Sequence, residues 1–173
     1  LNLYNHYAVT RNGQRFLKQY KEFGMKLPVL GMVTTTEESS LKSMGDEALG
    51  VITAGTYSAA LDTPTNRKWV QAMRAEYKED PGFCTIGGYL GALFLEAGMK
   101  TVNGRIEDKA AFMKALRTIN LPDTPGGPIR LDPYGNPIVN VYIRRVERRD
   151  GRLMNVVIDT YRDVSQFWKY DPA

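Results

Sequence analysis

Apolar and polar positions change their period twice along the chain, and the changes divide it into three stretches. From residue 1 to 57 short apolar runs alternate with helical spacing. Residues 1–7 (LNLYNHY) alternate as a strand, and residues 14–23 place Phe16, Leu17, Tyr20 and Phe23 at helical intervals before Gly24 stops the helix. Residues 27–33 (LPVLGMV) form an apolar run of the buried, parallel kind. Thr35-x-x-Glu38 reads as a capping box opening a helix through Met44, closed by Gly45, and residues 50–57 (GVITAGTY) give the next strand. The order β-α-β-α-β predicts a parallel α/β layer.

Helical spacing then takes over. Thr63-Pro64 is a helix start with proline at the first helical position, and Trp69, Val70, Met73 and Tyr77 form its stripe. Residues 83–100 form a second, almost wholly apolar helix, in which Gly87, Gly88 and Gly91 carry a propensity cost that a close approach to another element would explain. Asp108 caps a third helix to about Thr118, with Ala111, Phe112, Ala115, Leu116 and Ile119 inward. After the connector at 121–127 the period falls to two. Residues 126–159 read as a three-stranded meander, with turns at 132–136 (DPYGN) and at Asp150-Gly151. In the middle strand Ile138, Asn140, Tyr142 and Arg144 alternate with Val139, Val141, Ile143 and Arg145.

At 173 residues, 43% hydrophobic and 24% charged, the chain can bury a real core. The net charge of +4 is scattered. Its densest run, Arg144 to Arg149, reads as a solvated strand end that protects an edge. Without a basic face interleaved with aromatics, it excludes nucleic acid as a partner. The single cysteine, Cys84, forms no intrachain disulfide, and no apolar run is long enough to span a bilayer. No signal peptide is apparent, and the chain opens inside a predicted strand, as a mature or truncated product would. His6, the only histidine, has no partner at a spacing that signals a triad or a metal site. Glu37-Glu38 and Asp46-Glu47 read as helix-terminus charges. The glycines at 87, 88 and 91 follow no strand, so they are not a dinucleotide fingerprint. No cofactor, metal or catalytic group is expected, and Trp69 and Trp168 read as packing residues.

Ligands of parallel sheets sit at the C-terminal ends of the strands. Those ends offer Tyr7, Ala8 and Thr10, then Val33 and Thr34, then Tyr57: hydroxyls, backbone amides and an aromatic wall. These six are the candidate ligand-binding residues.

The motifs Phe16-x-x-Gln19-Tyr20-x-x-Phe23-Gly24 and Gly45-Asp46-x-x-x-Gly50-Val51, and the meander with Val141-Tyr142-Ile143-x-x-Val146 before Asp150-Gly151-Arg152, occur in an order that resembles the type I periplasmic solute-binding proteins of ABC transporters. These are the relatives of the leucine/isoleucine/valine-binding protein. The tail from Asp163 to Trp168 is similar to a branch associated with aromatic-acid uptake. The resemblance implies the latter half of a two-lobed, non-enzymatic protein. Residues 1–58 would end the second lobe, 59–125 would cross to helices of the first lobe, and 126–173 would return to the second. Connectors at 59–63 and 123–127 would be hinge strands. It further implies a periplasmic location, a membrane permease as partner, and a small organic ligand. In the amino-acid-binding relatives an acid after the strand equivalent to 27–33 pairs with the ligand's ammonium; here Val33 and Thr34 fall in that segment, which favours an aromatic carboxylate. The alternatives are a branched-chain amino acid or amide binder, and a ligand-sensing domain of a receptor or regulator. The apolar faces of the middle helices are expected to be covered by the missing N-terminal fragment or by a second copy.

Overall fold

The computed structural model describes residues 11–170. The predicted first strand and the candidates Tyr7, Ala8 and Thr10, with His6, lie outside them. The described residues form one mixed sheet flanked by helices, in the order α1 (Arg11–Glu22), β1 (Leu30–Met32), α2 (Glu38–Leu41), β2 (Ile52–Gly55), α3 (Pro64–Tyr77), α4 (Phe83–Thr101), α5 (Lys109–Arg117), β3 (Asn120–Leu121), β4 (Ile129–Leu131), β5 (Pro137–Arg149) and β6 (Arg152–Val164). β1 and β2 are parallel, β5 pairs antiparallel with β2, and β5 is flanked further along by β4 and β6. The meander therefore joins the same sheet as the βαβ unit, with Gly55 opposite Tyr142 and Ile52 opposite Arg145. This is the mixed α/β layer with a helical block and C-terminal antiparallel strands expected from the chain's periods.

Local chemistry sets most boundaries. The Thr63 side chain accepts the Asn66 N–H at 3.1 Å and Asp108 accepts that of Ala111 at 3.0 Å, so α3 and α5 start where their caps stand. The β5–β6 hairpin turns through Asp150 (φ 49°) and Gly151 (φ 76°), the doubly left-handed turn that Asp-Gly favours. Two apolar clusters hold the layers. Leu17, Leu41, Met44, Ala48, Val51 and Val146 fill the space under α1 and α2. Tyr57, Leu61, Ile86 and Tyr142 seat the start of α4 against β5.

Three expectations are corrected. The capping box at Thr35 does not form: residues 33–36 make a 3-10 turn, and α2 begins at Glu38 with Glu37 as its cap, accepting the Ser39 N–H at 2.7 Å. The chain is turned early because the Val33 carbonyl is held from below by Arg144. The run from Arg144 to Arg149 is not uniformly solvated. Burial follows the pleat, so Arg145, Arg148 and Arg149 are exposed and ion-paired to Glu147 or Asp46, while Arg144 is fully buried. Among the described residues, nothing closely approaches Gly87, Gly88 or Gly91. The tight glycine of α4 is Gly98, where a Cβ would stand 2.5 Å from Leu116 of α5.

Candidate ligand site at the strand ends

The C-terminal ends of β1 and β2 are shaped by one side chain on the neighbouring antiparallel strand. A register irregularity in the β5–β6 pairing falls between Ile143 and Arg144, and such irregularities re-aim side chains. The Arg144 guanidinium donates to the Tyr57 carbonyl at 2.8 Å and the Val33 carbonyl at 3.3 Å. It also donates to Thr53 Oγ1 at 2.9 Å and to Glu38 Oε1 at 3.3 Å. Two of the candidate residues, Val33 and Tyr57, are thus fixed through their backbones by the same cation.

Asn155 on β6 extends this frame. Its Nδ2 donates to the Thr36 carbonyl at 2.7 Å and to Glu38 Oε1 at 3.1 Å, its Oδ1 accepts the Thr36 hydroxyl, and its backbone carbonyl accepts the Ser58 hydroxyl. Thr36, Thr53, Ser58, Arg144 and Asn155 are all buried. Burial raises Glu38 to about 7 against the pull of Arg144, and it lowers Arg144 from its usual value. Both shifts run toward the neutral forms: desolvation outweighs the mutual attraction of the pair.

Val33 and Thr34 are half-buried on the 3-10 turn. Gly55 allows this packing, since a Cβ there would stand 2.8 Å from Val33 Cγ2. Tyr57 is fully buried. Its ring lies in the second cluster, its hydroxyl donates to Asn66 Oδ1 at 2.9 Å, and burial pushes its pKa up. Its surface in this structure is taken by the core. Asn66 in turn donates to the carbonyls of Ser58, Ala59 and Leu61, so the 59–63 connector is tied to the start of α3. The second connector is tied to the start of α3, where Thr65 donates to Asp123 at 2.7 Å, and to β5, where Tyr142 donates to the Gly126 carbonyl at 2.9 Å.

Sequence reasoning missed Arg144, Glu38 and Asn155. The available signal was the period: Arg144 shares its face with Asn140, Tyr142 and Val146, all of them buried. Among the described residues no group of three or more His, Cys, Asp or Glu is placed to hold a metal. Neither carboxylate of the turn is open to a ligand's ammonium. Glu38 faces Arg144, and Glu37 accepts the N–H groups of Ser39 and of Phe83 at the start of α4.

The described residues combine a parallel strand pair, an adjoining antiparallel meander and strand ends held by a buried polar frame. Residues 7–152 match the family model described as periplasmic binding protein, and the chain belongs to that non-catalytic family. It is 30% identical over 153 residues to a Leu/Ile/Val-binding protein homolog of Brucella abortus, a match covering 84% of this chain and 39% of that protein. The chain thus spans about two fifths of the curated relatives it matches. Among solved structures, a solute-binding protein of an ABC transporter from Rhodopseudomonas palustris BisB5, in complex with 3,4-dihydroxybenzoic acid, is similar. Its TM-score is 0.85 at 34% identity, over 92% of this chain and 44% of that one. A substrate-binding protein of an ABC transporter from Sphaerobacter thermophilus gives 0.85 at 30%, over 90% and 43%. A leucine-binding protein of Thermotoga maritima, at 18% identity and 0.70 over 87% and 43%, shares the fold alone.

Proposed function

We propose that the chain forms part of the solute-binding component of an ABC transporter, working outside the inner membrane with a permease as partner, and that its ligand is an amine-free organic acid of the aromatic carboxylate class. The observation that carries the ligand class is the charge state of the turn after β1. An ammonium buried without a paired carboxylate costs several kcal/mol, and both carboxylates on this turn are already engaged. Val33 and Thr34 offer an apolar wall and a hydroxyl instead. The similarity to a protein solved with 3,4-dihydroxybenzoic acid at 34% identity supports the same class. Tyr7, Ala8 and Thr10 remain candidates for the same site.

In this reading residues 1–58 and 126–173 belong to one lobe and 59–125 to the other, with the paired connectors at 59–63 and 123–127 as hinges. Ligand contacts from both lobes would stabilise a closed state. The helical block keeps Tyr77, Tyr89, Leu95, Met99 and Met113 exposed, and we assign their cover to the remainder of a longer polypeptide, with a second copy as the alternative. Among the described residues no helix is long and apolar enough to cross a membrane. The test is Val33→Glu in the polypeptide that includes the other lobe. Aromatic-acid affinity should fall at least about tenfold, the scale of burying one uncompensated charge beside the ligand. Unchanged affinity would remove Val33 from the site.

A further inference from the structure

α4 starts without a cap of its own. Gly82 stands at its N-cap position and has no side chain to accept the helix's free N–H groups. The acceptor comes instead from the turn after β1. Glu37 Oε1 accepts the Phe83 N–H at 2.8 Å, while Oε2 accepts the Ser39 N–H at 2.7 Å. One buried carboxyl group thus caps both α2 and α4. The approach is close enough to dictate Gly82, where a Cβ would stand 1.7 Å from Glu37 Oε1. The backbone itself asks for no glycine there, since its φ of −108° is one that any L-residue adopts.

In the lobe assignment proposed above, on which this inference rests, Glu37 belongs with the sheet and Phe83 with the helical block. Other polar contacts between these parts differ in kind. The Tyr57–Asn66 bond and the β3–β4 pairing lie at the connectors themselves. Lys42 pairs with Glu79 on the surface, each side chain at least half exposed, where an ion pair contributes little. Glu37 is buried, lies away from both connectors and ends the turn that carries Val33 and Thr34. We propose that Glu37 is a latch between the lobes. Seated on the N-terminus of α4, it holds them at the angle at which the turn bearing Val33 and Thr34 meets the helical block, and so favours closure around the ligand. A ligand that needs this angle binds in proportion to the population that has it.

Spin labels on Lys21→Cys of α1 and Lys114→Cys of α5, both exposed positions, read the lobe separation in the polypeptide that includes the other lobe. Cys84→Ser removes this chain's own thiol. The ligand-free parent should show the latched separation as a resolved population. Glu37→Ala and Gly82→Ala should each deplete it at least about fivefold, the effect of about one hydrogen bond. Each should weaken 3,4-dihydroxybenzoate binding by a similar factor. Because both act on one contact, the double variant should add less than about twofold to either. Lys42→Ala should change neither quantity by more than about twofold. Gly82→Ala keeps Glu37 in the chain and decides the question where Glu37→Ala fails to fold. An unchanged separation in Gly82→Ala, additive effects in the double variant, or an equal shift with Lys42→Ala would each overturn the latch. A parent that does not bind the aromatic acid would count against the proposed ligand instead, and the ligand-free separations would still decide the latch.

Discussion

Arg144 is the residue on which the strand-end site depends. Fully buried, it joins the carbonyls of Val33 and Tyr57, the Thr53 hydroxyl and the Glu38 carboxylate. Removing one partner of a buried ion pair leaves the other charge stranded, at a cost of about 3–5 kcal/mol. Arg144→Met should therefore lose about that much stability in urea unfolding at pH 7.5, and adding Glu38→Leu should recover at least half of the loss. A single variant within 1 kcal/mol of the parent, a bound well below that cost, would show that the pair is not what holds these loops. Glu38 also gives the fold a pH dependence. Its folded value of about 7 lies above the ordinary glutamate value of 4.5, with Arg144 and Glu37 as the charges facing it. The folded state therefore holds the proton more tightly than the unfolded chain. The stability this contributes is complete below pH 4.5 and is lost as pH rises through 7. Between pH 5 and 7.5 the parent should lose stability relative to Glu38→Gln, by a difference on the order of 2 kcal/mol in unfolding midpoints converted to free energy. A parallel pair of pH curves would contradict the burial cost assigned to Glu38.

At the scale of elements, α4 is the least satisfied part of the molecule. Only Ile86 and Gly98 of its 19 residues are buried, although the helix is almost wholly apolar. An apolar patch beyond a few hundred Å² marks an interface. The 173-residue chain by itself should self-associate in sedimentation and bind an apolar dye; a monodisperse monomer without dye binding would mean that this face needs no cover. The same helix shows how far sequence could be read. Its span, the caps of α3 and α5 and the Asp150-Gly151 turn were legible because each depends on residues within about four positions of one another. The reason for Gly98 was not, since it rests on Leu116 of another helix. The capping-box motif at Thr35 also misplaced the start of α2, because the tie on Val33 comes from Arg144, 111 positions away. The positions of Val33 and Thr34 at a strand end could be read from the β-α-β order. The buried frame beneath them could not, because a run of arginines near a hairpin reads as surface until the pleat is followed one residue at a time.

For the whole molecule, the shape of the strand ends is set from the far side of the chain. β5 and β6 supply Arg144 and Asn155, and these fix the turns that follow β1 and β2. Thr65 at the start of α3 donates to Asp123 of the 123–127 connector. The completed site is expected to take an organic acid without an amine. Isothermal titration calorimetry on the polypeptide that includes the other lobe, with 3,4-dihydroxybenzoate and leucine run side by side, addresses it most directly. The aromatic acid should bind at about micromolar or tighter, at least about −8 kcal/mol, and leucine should give no heat beyond dilution. Leucine binding in that range, with no response to the aromatic acid, would contradict it.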